Sequence, residues 1–171
     1  MKKKWWLPIL IIVVKMSNIY GQKNSISITD FGAIPNDERY DNVNSFNAAI
    51  SFANKNNIHI IRIPEGVFYV SKGINLNDGS KIIGAGMNKT ILSLMSGLPP
   101  RDNEATQTAI FTGSRSYSLS HSAPTRNITI KSLTIDLKKN EKEFDISKFP
   151  MLGGIRLINP EDCLIDSVKI I

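Results

Sequence analysis

A single cysteine, Cys163, stands in 171 residues, so no intramolecular disulfide can form. The two histidines, His59 and His121, lie too far apart in sequence to suggest a catalytic or metal-binding dyad. His59 sits in an apolar run and His121 in a polar stretch, and both read as structural or solvated side chains. No membrane-length apolar run is present either. A spanning helix needs about 20 apolar residues, whereas the run from Trp5 to Val14 is ten long and Lys15 ends it.

What is there at the start has the order of an export signal. Lys2, Lys3 and Lys4 form a basic region, the ten-residue apolar run follows, and a polar stretch closes on Gly21-Gln22. Basic start, apolar centre and small residue are the parts a signal peptidase reads, which predicts a signal over residues 1–21 and cleavage before Gln22. Removing its four lysines leaves 17 basic residues against 15 acidic ones, and the formal charge falls from +6 to +2. The basic balance therefore belongs mostly to the export segment and argues against a nucleic-acid surface. About 150 residues remain, enough for one domain with its own core. The expected location is secreted, extracellular or periplasmic, with no membrane partner after cleavage. An exported chain without disulfides relies on packing and hydrogen bonding, which repetitive β architectures supply.

Residues 25–32, Ser-Ile-Ser-Ile-Thr-Asp-Phe-Gly, alternate and then break at Gly32, which predicts a short strand and a turn. Val43, Phe46, Ala49, Ile50 and Ala53 recur at spacings of three and four, the period of an amphipathic helix. That helix is expected over 43–56, with Asp41 or Asn42 at its N-cap and Asn56 or Asn57 at its end. From residue 58 the period changes to short β-type runs: 58–63, 67–70, 74–76, 81–83 and 90–92, divided by Gly, Asn, Asp or Ser. Pro64-Glu65-Gly66 reads as a turn.

Residues 127–135 and 162–170 superpose at an offset of 35. Ile128, Ile130, Leu133 and Ile135 fall on Cys163, Ile165, Val168 and Ile170, and Ser132 falls on Ser167. Both copies are apolar on the inward side, with a change of direction at the serine. Paired short strands around a corner, repeated along the chain, are what a solenoid of parallel strands requires. Two stretches, about 95–125 and 138–152, break the pattern and read as loops leaving a coil corner.

Residues 84–90, Gly-Ala-Gly-Met-Asn-Lys-Thr, resemble a phosphate cradle at first sight. A Walker loop needs glycine directly before the lysine and a helix directly after the threonine. Here Asn88 precedes Lys89, and 91–94 is β-like. A dinucleotide fingerprint fails as well, since Lys89 stands where the third glycine should be. Gly84 and Gly86 are better explained by a corner that needs positive φ or close backbone approach.

Thr29-Asp-Phe-Gly-Ala33, the helix with Ala48-Ala49-Ile50 and Ala53, Ile61-Arg-Ile-Pro64-Glu-Gly66 with Phe68, Ile83-Gly-Ala-Gly86 and Thr90-Ile91 follow one another in this order. That order resembles the N-terminal part of the pectate-lyase-like superfamily, closest to its rhamnogalacturonase/epimerase-like branch. The resemblance covers residues 27–94 by motif and continues to the C-terminus by coil pattern. Asp37-Glu38 departs from the Asp-Gly usual there. The fold implied is all-β: a right-handed single-stranded parallel β-helix, incomplete in this chain, with an N-terminal capping α-helix. A cap is physically sensible, because the first coil would otherwise expose strand edges.

Members of the superfamily act on polysaccharides, commonly uronate-containing ones. Its hydrolases use paired carboxylates. Its lyases use a base with a cation, at times Ca²⁺, that neutralises the uronate. No cofactor or metal site is otherwise evident; Ca²⁺ enters by resemblance only. Outward residues of the repeat pair as Thr129 with Leu164, Lys131 with Asp166, Thr134 with Lys169 and Asp136 with Ile171, so no carboxylate stacks on another. Lys131 with Asp166 reads as an opposite-charge pair of modest value. Glu161-Asp162-Cys163 suggests the acidic pair of the polygalacturonase type, but in register Cys163 is an inward small hydrophobe and Asp162 a corner. The Gly-His-Gly and Arg-Ile-Lys elements of that type are absent. Asp30, Asp37 and Asp41 read as turn formers and caps rather than metal ligands. Asn88-Lys-Thr90 and Asn127-Ile-Thr129 match glycosylation sequons, relevant only to a eukaryotic secretory route.

No catalytic residue is assigned. A site within this chain would lie among Asp136, Lys138 and the 138–152 loop. The chain stops at Lys169-Ile-Ile171, inside a strand pattern, and a solenoid needs a terminal cap. The expectation is therefore the N-terminal segment of a secreted, carbohydrate-active β-helix related to polysaccharide lyases or glycosidases, with a polysaccharide as substrate or ligand. The alternative is a non-catalytic glycan-binding, adhesin or tailspike-like module.

Overall fold

The structure, a computed structural model, describes residues 24–95, 109–113, 124–138 and 153–171. Among the described residues, twelve short strands wind into a right-handed parallel β-helix. They are β1 (Ser25–Ser27), β2 (Ile60–Ile63), β3 (Gly66–Val70), β4 (Ile74–Leu76), β5 (Lys81–Gly84), β6 (Thr90–Leu94), β7 (Ala109–Gly113), β8 (Thr125–Arg126), β9 (Thr129–Asp136), β10 (Gly153–Arg156), β11 (Pro160–Glu161) and β12 (Leu164–Ile170). All pairings are parallel. The first face stacks β1, β2, β5 and the leading halves of β9 and β12. The second stacks β3, β6 and the trailing halves of β9 and β12. The third stacks β4, β7 and β10, and β8 pairs with β11 at a corner.

Identical or similar residues sit above one another because each coil repeats the same inward positions. Ile26, Ile61, Ile82, Ile130 and Ile165 form one ladder, and Phe68, Leu92, Ile135 and Ile170 form another. Burying each such side chain contributes about 1.5–3 kcal/mol. The lower rungs are fully buried, whereas Ile165 is 52 % exposed and Ile170 48 %. The expected offset of 35 is the observed register, with Thr129 on Leu164, Ile130 on Ile165, Lys131 on Asp166 and Leu133 on Val168. Ser132 (φ 59°) and Ser167 (φ 52°) turn the chain from the first face to the second, and Asn127 (φ 56°) and Asp162 (φ 52°) turn it into the first. Short polar side chains tolerate this left-handed conformation best.

The expected cap is helix α1 (Val43–Lys55). Its stripe of Val43, Phe46, Ala49, Ile50 and Ala53 is buried, and Phe46 meets Phe111 edge-on at 6.4 Å. Asn42 is the N-cap residue but makes no side-chain cap bond; Asp41 Oδ1 accepts from Val43 N at 3.1 Å instead. The segment before α1 closes the lower edge of β3. Asn36 N and Asn42 N donate to the Val67 and Tyr69 carbonyls at 2.7 and 2.9 Å. Val67 N donates to Asn36 Oδ1 at 2.9 Å, and Ser71 N to Asp41 Oδ1 at 3.1 Å. Asparagine and aspartate side chains thus stand in for a missing strand, which resolves the edge problem.

Three details differ from the sequence reading. The turn after β1 is a 3-10 helix, Ile28–Phe31, held by a Ser27/Asp30 capping box. The expected loop at 95–125 contains β7, a strand buried at every residue; its Thr112-Gly113 end obscured the β pattern in sequence. Cys163 faces the core as expected but is only partly covered. Residues 1–21, His121 and most of the 138–152 loop lie outside the described residues. No described helix is long and apolar enough to cross a membrane.

Candidate functional site

The faces differ in how their strands are joined. A single left-handed residue links the first face to the second within β9 and β12. Long connections border the third face: 95–108 between β6 and β7, 114–124 between β7 and β8, and 137–152 between β9 and β10. Recognition groups concentrate where long connections meet a rigid sheet. On that face Ile74, Phe111 and Ile155 stack inward, while Asn75, Thr112 and Arg156 stack outward. The Thr112 hydroxyl, itself buried, donates to Asn75 Oδ1 and to the Ile74 carbonyl. That bond orients the exposed Asn75 amide with its nitrogen outward. An amide and a guanidinium two rungs apart, about 10 Å, are donors suited to sugar hydroxyls and, for the arginine, to a carboxylate.

The residues singled out in sequence as a possible site are brought together, but as a strut. Asp136 Oδ1 accepts from Lys138 N at 2.9 Å, closing a turn in which Lys138 has φ 56°. Lys138 Nζ lies 3.3 Å from Glu38 Oε1 and 5.6 Å from the centre of the Tyr69 ring. Tyr69, Ser93 and Asp136 are consecutive rungs of one outward column. The lysine therefore spans from the third coil down to the first and to the cap segment.

Glu161 is paired with Arg126 at 2.7 Å. The Glu161 hydrogen bond raises the Arg126 pKa above its already high value, with the charges of Glu161, Asp78 and Asp162 adding to it. Asp78 Oδ1 also accepts from Arg126 N at 3.0 Å. Asp162 occupies the corner expected of it, and Cys163 Sγ lies near the Thr125 and Glu161 carbonyls. Lys131 and Asp166 are register neighbours, but among the described residues they form no ion pair; Asp166 Oδ1 accepts from Ser167 Oγ at 3.1 Å. Asp30 and Asp41 serve the caps described above. Asp37 closes a turn with Arg39, whose N–H at 3.0 Å and Nε at 3.3 Å hold the carboxyl below the usual carboxylate range. His59 is exposed beside Gly79. It lines a shallow open cleft with Asn54, Asn57, Asn77 and Asp78. Among the described residues no three His, Cys, Asp or Glu cluster as metal ligands.

The cradle-like segment is a corner. Thr90 Oγ1 accepts from Ala85 N at 2.8 Å and turns its hydroxyl toward the Ile63 and Pro64 carbonyls. Gly86 has φ 147°, and its carbonyl accepts from Lys89 N and Thr90 N. Lys89 reaches Glu65 at 3.8 Å. Sequence reasoning missed Asn75, Thr112 and Arg156. A signal existed in the triplets Ile74-Asn-Leu76, Phe111-Thr-Gly113 and Ile155-Arg-Leu157, each with a polar residue following an apolar one.

Three faces of short parallel strands, left-handed corners and a helical cap define a pectin-lyase-like parallel β-helix. The chain belongs to the family described as rhamnogalacturonase A/epimerase, pectate lyase-like, which it matches over residues 25–159. It is similar in structure to the A-module of Azotobacter vinelandii mannuronan C-5 epimerase AlgE4, with a TM-score of 0.62 and 23 % identity, covering 84 % of this chain and 37 % of that one. It is also similar to PfbA, a surface adhesin of Streptococcus pneumoniae (TM-score 0.65, 20 % identity, 85 % and 33 % covered). A third similar structure is the pre-mature bacteriophage phi29 gene product 12 (TM-score 0.62, 19 % identity, 85 % and 17 % covered). These likenesses establish the fold. The chain spans about a third of the length of the epimerase module and the adhesin. No curated protein matches the chain significantly.

Proposed function

We propose that this chain is the N-terminal part of an exported β-helix protein that acts on uronate-type polysaccharides, in the manner of polysaccharide lyases or glycosidases. The observation that carries the proposal is the outward Asn75–Thr112–Arg156 column, on the face whose strands adjoin all three of the intervals 95–108, 114–124 and 137–152. Family membership supports the carbohydrate class, and an epimerase of a uronate polymer shares the fold. The exposed tops of the two apolar ladders, Ile165 and Ile170, support the idea that further coils belong above β12. Arg156 would hold a sugar carboxylate and Asn75 would orient a ring hydroxyl.

The test is to incubate the full chain with polygalacturonate and with alginate, following new reducing ends and the absorbance of unsaturated uronates, and to measure binding alongside. Binding that Arg156→Ala reduces about tenfold or more, the loss of one charge-assisted hydrogen bond, is the expected result. Binding indifferent to Arg156→Ala and Asn75→Ala overturns the assignment of the third face.

A non-catalytic glycan-binding or adhesin role is the second reading. It is favoured by the engagement of Glu38, Asp41, Asp136 and Glu161 in struts and turns. Retention without either product would favour it.

A further inference from the structure

On a separate face of the barrel, the first, three cations come from three consecutive coils. The strand registers place Ser27, Arg62, Ile83, Lys131 and Asp166 in one outward column, and Ser25, Ile60, Lys81, Thr129 and Leu164 in the next. Arg62 and Lys81 are exposed and Lys131 is partly exposed. Arg62 Nε reaches only the Ser25 hydroxyl, at 3.3 Å. Among the described residues none of the three cations forms an ion pair.

Their arrangement is a zigzag. Successive rungs are about 4.8 Å apart, and Lys81 is displaced by two residues, about 6.6 Å, from the column of the other two. No cation is the direct register neighbour of another, so the like-charge repulsion that adjacent rungs would bring is reduced. Half-buried Ile60 and Ile83 and the hydroxyls of Ser25, Ser27 and Thr129 fill the spaces between. A flat face with regularly stepped positive charge, interleaved with aliphatic and hydroxyl groups, complements an extended polymer carrying an anionic group on each sugar. The apolar residues can meet sugar C–H surfaces while the cations meet carboxylates.

We infer that the first face, through Arg62, Lys81 and Lys131, is a docking surface for an acidic polysaccharide chain, separate from the third face. Asp166, one rung above Lys131, ends the positive run and opposes the polymer's charge. The inference goes beyond the proposed activity, since it needs neither catalysis nor Arg156.

The test is retardation of the full chain in gels containing polygalacturonate, at low and high salt, beside gels containing the fully methyl-esterified polymer. The wild-type chain should be retarded by the acidic polymer only, and less so as salt rises. Arg62→Gln/Lys81→Gln/Lys131→Gln should weaken the apparent affinity by about tenfold or more, while Lys55→Gln/Lys89→Gln/Lys169→Gln, with the same change in net charge, should retain it. Asp166→Asn should tighten it. Circular dichroism checks the fold of the triple variant, and Lys81→Gln alone, at an exposed position, gives a smaller loss if the triple variant is perturbed. In an Arg156→Ala background the same three Gln substitutions should weaken the retardation by the same factor, which separates failure of this inference from failure of the third-face assignment. The inference is overturned by equal loss in both triple variants, by absence of retardation at low salt, by equal retention in the esterified polymer, or by binding to anionic lipid vesicles with none to polygalacturonate.

Discussion

The carbonyl oxygen of Ser132 stands 2.2 Å from where a β-carbon on Gly84 would lie. Gly84 ends β5 one rung below the Ser132 corner, and the Leu133 β-carbon is a further 2.9 Å neighbour of the same point. The two corners can stack at sheet spacing only because the lower one has no side chain. Gly84→Ala should therefore force the coils apart and cost about 3 kcal/mol, at the upper end of overpacking effects. Gly86→Ala meets only ordinary contacts with Lys89 and should cost about 1–3 kcal/mol through its φ of 147° alone. Urea denaturation of both variants measures the order, and a Gly84→Ala protein as stable as wild type would contradict the stacking.

Phe46 is fully buried between α1 and the barrel, against Phe111. Phe46→Ala should lower stability by about 3–5 kcal/mol, and Phe46→Asp by more. A loss below about 1 kcal/mol, the size of a surface substitution, would mean that the cap does not seal the core.

The Lys138–Glu38 pair joins residues 100 apart in sequence, yet Glu38 is half exposed. A double-mutant cycle with Lys138→Met and Glu38→Gln should give a coupling of only about 0.2–1 kcal/mol, reduced further by salt. A coupling above about 2 kcal/mol would point to a desolvated, functional charge pair.

Leu164, Ile165, Ile170 and Ile171 are 43–52 % exposed, and among the described residues β12 pairs on one side only, with β9. Such an edge recruits other strands. The chain made on its own should associate in light scattering, and Ile165→Lys/Ile170→Lys should shift it toward monomer. A monodisperse wild-type chain at high concentration would refute this.

Export should leave an extracellular product that begins at Gln22 or within a few residues of it. N-terminal sequencing decides, and intact Met1 recovered only from the cytoplasm would refute the signal assignment.

Much of the scaffold was legible because it is local or strictly periodic. The α1 stripe follows from 3.6-residue spacing, and the coil register follows from the 127–135 and 162–170 repeat. Both patterns are imposed by one condition, that the same residues face inward on every turn. Strand β7 was not legible: Ala109–Gly113 owes its burial to β4 and β10, which flank it in space and lie 33 and 40 residues away in sequence.

The sequence by itself determined the parallel coils, the cap, the corner at the Gly84–Thr90 segment and the absence of disulfide support, since each depends on residue type at short or repeated spacing. Only the tertiary structure decided which side chains share an outer surface. Beyond the outward pairs of the 127–135 and 162–170 repeat, outward residues follow no repeated spacing, because no core packing constrains them. Asn75, Thr112 and Arg156 become one column, and Arg62, Lys81 and Lys131 one zigzag, solely because hydrogen-bonded rungs bring distant segments to the spacing of a sheet.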